Sequence, residues 1–180
     1  MPYPWYQTLQ NSNEVRQGDF VPNCPIIIPP NNLSIPEGGE GLELTVKTLN
    51  AVVVSQSCDL EHDKLEIVLV CPYYTLTEFF NQLPATERVG RPREKMLKSL
   101  QQGNLPSYHL LNRDVANGVA DFLVVDFRNV YGVNYDFLKA FIQTVQSRPR
   151  LLPPYREHLS QAFARFFMRV GLPNDIQGLA

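Results

Sequence analysis

Ala51-Val52-Val53-Val54 and Ile67-Val68-Leu69-Val70-Cys71-Pro72 are apolar almost throughout. Runs of that kind predict two adjacent strands covered on both faces. The polar stretch Glu61-His62-Asp63-Lys64 between them predicts a tight hairpin turn centred near His62. The first run ends in Ser55-Gln56-Ser57-Cys58-Asp59-Leu60. Small hydrogen-bonding and nucleophilic groups at a strand's end stand where a scaffold displays its chemistry. Ser55, Gln56, Cys58 and Asp59 are therefore the candidate reactive groups.

The rest of the chain divides into strand and helix patterns. Residues 1 to 18 have no clear period and predict an arm or a short helix against the body. Val21 to Ile28 reads as an extended segment whose prolines suit an edge strand or the start of a barrel. Pro29-Pro30-Asn31-Asn32 breaks it, Pro36 to Gly41 is a loop, and Leu42 to Lys47 alternates as a half-exposed strand. Thr75 to Leu83 has helical spacing with Thr75 or Thr77 as N-cap, and a polar helical excursion spans Arg88 to Gln102. Strands resume at Tyr108 to Leu111, then at Val119 to Phe127 after an Asn117-Gly118 turn, and at Asn129 to Val133. Asn134 caps a helix with Phe137, Leu138, Phe141, Ile142 and Val145 on one face.

A last helix starts at Pro153-Pro154 and stops at Gly171 and Pro173. Its apolar stripe is Leu159, Ala162, Phe163, Phe166, Phe167 and Val170, with Arg156, Arg165 and Arg169 to the side. The pattern predicts an α+β fold: a small, strongly bent antiparallel barrel over about residues 16–133, a helical insertion over about 75–104, and C-terminal helices over about 134–171. One domain is expected for residues 1–180.

Composition narrows the function. A net charge of −2 with 19% charged residues writes no global attraction to nucleic acid or anionic membrane into the chain. The N-terminus lacks the charged and apolar regions of a signal peptide, and no apolar run approaches a membrane span. A cytoplasmic protein without a membrane partner is expected. Cys24, Cys58 and Cys71 show no framework spacing, which predicts reduced thiols. A zinc site with His62 or His109 is disfavoured, because a hairpin centred near His62 sets Cys71 opposite roughly Val53 and separates the Cys58 and Cys71 sulfurs by more than about 10 Å. No metal and no cofactor are expected.

The remaining candidates are few. Cys58 beside Asp59 forms a nucleophile set only if His62 or His109 serves as base and a neighbouring cation or a helix N-terminus lowers the thiol pKa. Arg88, Arg91, Arg93, Lys95 and Lys98 are the best candidates for phosphate contact, relieved only by Glu87 and Glu94. Tyr73 and Tyr74 at a strand's end are candidates for stacking or for a protein interface. Two consecutive phenylalanines, Phe166 and Phe167, leave at least one ring toward a flank of the helix, where a second copy or another protein would cover it.

Three ordered blocks carry a family resemblance: Arg16-Gln17-Gly18-Asp19-Phe20, Ala51-Val52-Val53-Val54-Ser55, and Ile67 to Pro72. They resemble those of the MazF/PemK toxins, SH3-like barrels that cut single-stranded RNA, over about a third of the chain. A Gln-Gly-Asp start with a Ser-Gln-Ser-Cys-Asp-Leu block also resembles a set of uncharacterised bacterial proteins, which implies no activity. Where the toxins have Arg-Pro before the second strand this chain has Asn50-Ala51, and where they have a Thr near the third strand's Pro it has Tyr73-Tyr74-Thr75. The lost Arg is the cation that would stabilise a pentavalent phosphate. The resemblance thus implies a non-catalytic MazF-like binding or regulatory module in a bacterial toxin–antitoxin, defence or signalling setting, with a protein partner or a homodimer. The alternatives are an endoribonuclease on single-stranded RNA with a relocated site, its cation supplied by Arg16 or Arg128, and a Cys58-dependent enzyme.

Overall fold

The computed structural model describes residues 3–29 and 44–168. In chain order its elements are β1 (Tyr6–Gln10), β2 (Phe20–Ile28), β3 (Thr45–Val53), α1 (Ser57–Glu61), β4 (Ile67–Thr75), α2 (Leu76–Gln82), α3 (Gly90–Gln101), β5 (Tyr108–Leu111), β6 (Leu123–Asp126), β7 (Tyr131–Asn134), α4 (Tyr135–Ile142), β8 (Ser147–Leu151) and α5 (Tyr155–Phe167). The expected loop at Pro36 to Gly41, the start of the alternating segment at Leu42, and Arg169, Val170, Gly171 and Pro173 lie outside the described residues.

All pairings are antiparallel. The larger sheet runs β2-β3-β4-β6-β5, with β7 also on β4. Val70 pairs with Val53 of β3 and with Tyr131 of β7, so β3 holds one edge of β4 while β7 and then β6 share the other. Among the described residues this path does not close on itself, and the fold is a mixed α+β arrangement of bent antiparallel sheet and helices. β3 joins into one strand the two segments expected separately at Lys47 and Val52, because no Gly or Pro interrupts Thr45–Val53.

Alternation on the sheet separates two cores. Cys24, Ile26, Ala51, Val53, Val68 and Val70 face Leu138 and Ile142 of α4, whereas Phe20, Val52, Cys71, Val125 and Phe127 face Tyr6, Leu151 and Leu159. Val52 and Val53 are both fully buried, so the valine run is covered on both faces. Each such side chain contributes roughly 1.5–3 kcal/mol by leaving water. The Ile67 strand, expected to be covered alike, is not: Ile67 and Leu69 on one face of its first half are exposed, because among the described residues no element packs over them there. A third cluster packs Phe79, Phe80 and Leu100 of α2 and α3 over Val124. Local capping sets the helix starts. The Thr75 hydroxyl accepts from the Glu78 N–H at 3.1 Å while the Glu78 carboxylate accepts from the Thr75 N–H at 2.8 Å, and Asn134 accepts from the Phe137 N–H at 3.0 Å.

Two local expectations are corrected. The segment expected as an arm or short helix contains β1, which pairs with β8 from Tyr6↔Leu151 to Gln10↔Ser147. Its partner lies far along the chain, beyond the reach of local patterning. The polar block is not an extended strand end leading to a tight hairpin. It forms a short helical segment, α1, and the strands behind it pair Val52 with Cys71 and Val53 with Val70.

Candidate functional site

The Arg16-Gln17-Gly18-Asp19 turn and the block after β3 dock onto each other. Gly18 takes φ +83°, donates its N–H to the Val53 carbonyl at 2.9 Å and accepts from the Leu151 N–H at 2.9 Å. A Cβ there would lie 3.0 Å from the Leu151 Cβ, so both the backbone angle and the space call for glycine. Gln17 is buried and donates from Nε2 to the Val54 carbonyl at 2.9 Å, while its N–H donates to the Ser57 hydroxyl at 3.2 Å. Ser55, also buried, accepts from the Leu69 N–H at 2.8 Å. Arg16 pairs with Glu14 at 2.6 Å and Glu61 at 2.9 Å. Each of these groups is occupied in holding β2, β3, β4 and α1 together.

Behind the turn sits an ionic cluster that sequence reasoning missed. Asp19, Arg148 and Arg150 are all buried. Arg150 makes a two-pronged contact with Asp19, its Nε to Oδ1 and its Nη2 to Oδ2 at 2.9 Å, and reaches Glu14 with Nη1 at 2.8 Å. Arg148 donates to the Ser12 carbonyl at 2.6 Å and to Asp19 at 3.3 Å. The Arg150 hydrogen bond holds the Glu14 carboxyl below its usual range, helped by Arg16. The signal in the chain was the alternation Arg148-Pro149-Arg150-Leu151, which places both guanidinium groups on one face of β8.

Cys58 is exposed, and its thiol donates to the Gln56 side-chain oxygen at 3.7 Å. It lines an open cavity of about 360 Å³ with Gln17, Gln56, Ser57, Arg156, Glu157, Ser160 and Gln161. No histidine is in that lining. His62 caps α1, and His109 lines other cavities. Asp59, partly buried, lies in the first turn of α1. Burial pushes the Cys24 and Cys71 thiols up, to about 11 and about 12, which suits packing rather than chemistry. Among the described residues no group of three or more His, Cys, Asp or Glu side chains could hold a metal ion.

The two tyrosines part company. Tyr73 packs edge-on against Phe20, ring centres 4.9 Å apart, and burial raises its pKa to about 12. Tyr74 belongs to a half-exposed group with Tyr108 and Arg128. Arg128 donates from Nε and Nη2 to the buried Asp126 at 3.0 and 2.8 Å and lies 4.7 Å over the Tyr108 ring. Asn129 donates to the same carboxylate at 3.1 Å. The result is an oriented, partly neutralised guanidinium between aromatic rings.

The basic excursion is divided in the same way. Arg88 donates to the Leu83 carbonyl at 2.7 Å, and Arg93 sits 4.4 Å over Phe80. Arg91, Lys95 and Lys98 recur at helical spacing on α3 and are exposed. On α5, Phe163 and Phe166 join the second core around Phe127, whereas Phe167 is 57% exposed. No helix among the described residues is long and apolar enough to cross a membrane. No protein-family model and no curated protein matches this chain.

Proposed function

We propose that this protein is a non-catalytic, MazF-like binding or regulatory module that acts through a protein partner or a second copy of itself, in a bacterial toxin–antitoxin, defence or signalling setting. The finer fold reading, an SH3-like barrel built on β2, β3, β4 and β7, belongs to the same proposal. One observation carries it: the polar block that would seat catalysis is spent on structure. Ser55 accepts from backbone, Gln17 and Arg16 are tied down, and among the described residues the cavity at Cys58 holds no imidazole, while its one cation, Arg156, is paired with Glu157. Apolar side chains meanwhile remain open on the surface, among them Ile27, Val46, Phe137 and Phe167.

Sedimentation of the purified chain, alone and with interacting proteins captured from its host, tests this. Association that weakens in Phe167→Glu at unchanged melting temperature supports it; a clean monomer at tens of micromolar with no captured partner overturns it. A second reading, an endoribonuclease with a relocated site, is favoured by Arg128, which Asp126 orients and Tyr108 stacks. Cleavage of mixed-sequence single-stranded RNA that is lost in Arg128→Ala or Arg16→Ala would establish that reading. Intact RNA excludes it.

A further inference from the structure

Two adjoining cavities share Gly103, Tyr108 and His109 as common wall. One, of about 250 Å³, opens between the residues before β5 and α5 and adds His158, Gln161 and Arg165. The other, of about 300 Å³, adds Trp5, Gln101, Asn112 and Phe122. Together they fall in the size range of small-molecule sites, roughly 300–1,000 Å³. His158, Gln161 and Arg165 stand at i, i+3 and i+7 on α5, hence on one face of the helix.

The lining is polarised. Among the described residues neither cavity wall contains a carboxylate. Among the described residues no protein hydrogen bond engages the side chains of His109, Gln161 or Arg165, in contrast to the arginines around Asp19. Among the described residues the charged or titratable groups facing His109 are His158 and Arg165 from α5, the ring of Phe127 lies 6.4 Å away, and Tyr108, next along the strand, turns its ring to the opposite face against Phe79. The nearest acid on α5, Glu157, is held by Arg156 at 2.7 Å. At the other end Trp5 is stacked on Tyr155, ring centres 3.6 Å apart, which fixes the indole as a flat wall.

We infer that this groove binds a nucleoside monophosphate, its phosphate against His158, Arg165 and His109 and its base in the cavity walled by Trp5 and Phe122. Imidazole and guanidinium donors supply charge-assisted hydrogen bonds to phosphate oxygens, and Gln161 adds a neutral one. The aromatic wall supplies stacking, which accepts any base. Burial, with His158 as the smaller cause, holds His109 down to about 4 in the free protein. An anion beside it favours the protonated ring, so binding takes up a proton and strengthens as pH falls from neutral.

Calorimetric titration of the full chain with adenosine monophosphate, adenosine and inorganic phosphate tests this, at about pH 6 and at about pH 7.5 in buffers of different ionisation enthalpy. The expected result is saturable monophosphate binding with proton uptake at the lower pH, weaker binding of adenosine and of phosphate alone, and a loss of about tenfold in Arg165→Gln and in His158→Gln. Both are exposed positions whose replacement leaves the core intact, and Lys47→Gln on β3, exposed and outside both cavity walls, should bind as the natural chain does. The inference is overturned by no heat up to millimolar monophosphate, by adenosine or inorganic phosphate binding as tightly, by unchanged affinity in both α5 variants, or by an equal loss in Lys47→Gln.

Discussion

Arginines and their neighbours are used in opposite ways at the two ends of β8 and α5. Around Asp19, Arg148 and Arg150 are buried: their hydrogen bonds among the described residues all go to this chain's own carboxylates and carbonyls, with Arg148 Nε left without a partner, and together they fasten the β1–β8 ribbon to the start of β2. Around His109, an imidazole, an amide and a guanidinium line a groove, and among the described residues their side chains make no hydrogen bond to the protein. Residue type does not separate the two clusters. What separates them is whether the fold supplies the partner, and polar groups it leaves unmatched in a concave wall are where a ligand gains most.

Breaking the first cluster has the largest expected effect. Asp19→Asn removes the carboxylate that Arg148 and Arg150 share and leaves buried charge uncompensated, which should cost about 3–5 kcal/mol or prevent folding. Arg165→Gln, at the second cluster, should stay within about 0.5 kcal/mol. Urea denaturation of both variants measures the contrast, and an unchanged midpoint for Asp19→Asn would erase it.

A smaller effect sharpens the same comparison. Gly18→Ala meets both a left-handed backbone angle and the Leu151 Cβ, and a loss of about 1–3 kcal/mol is expected. Because Gly18 links Val53 to Leu151, the loss should appear as faster hydrogen exchange in β8 and β3 together. Exchange confined to the turn itself would show that the junction does not couple the two sheets.

The smallest effect belongs to the groove. The fold favours neutral His109, with a pKa lowered from 6.5 to about 4, so as pH falls the unfolded chain takes the proton first. Stability should therefore decline between those two values, by on the order of 1–2 kcal/mol once the ring's partial exposure is allowed for, and stay level above them. His109→Gln should flatten the profile over that interval. A wild-type midpoint that does not move between about pH 6.5 and about pH 4.5 would contradict the burial of this ring.

Local chemistry made much of the framework legible. The Thr75–Glu78 capping box, the Asn134 cap and the Asn117-Gly118 turn with Gly118 at φ +80° each depend on residues within a few positions of one another. The valine run before Ser55 and the strand at Ile67 were plain from their side chains, as was the stripe on α5 that puts Leu159 and Phe163 inward. The functional reading of Ser55-Gln56-Ser57-Cys58 was not settled by those residues. The same hydroxyls serve a reaction or a backbone N–H, and the Leu69 and Gln17 donors that occupy them lie in other blocks of the chain.

By itself, then, the sequence determined where α2 and α4 start and that the valine run has two buried faces, because caps and alternation act over a few residues; it did not determine α1, nor that Ile67 and Leu69 of β4 stay exposed. Only the tertiary structure decided that Arg148 and Arg150 point inward, that the polar block is a fastening, and that His109 meets His158 and Arg165 across a groove. An arginine in a short polar strand is ordinarily a surface residue, and burying it is favourable only once pairing brings a carboxylate such as Asp19 to it. That pairing joins residues about 130 positions apart, as Arg150 and Asp19 are, and no local pattern records it.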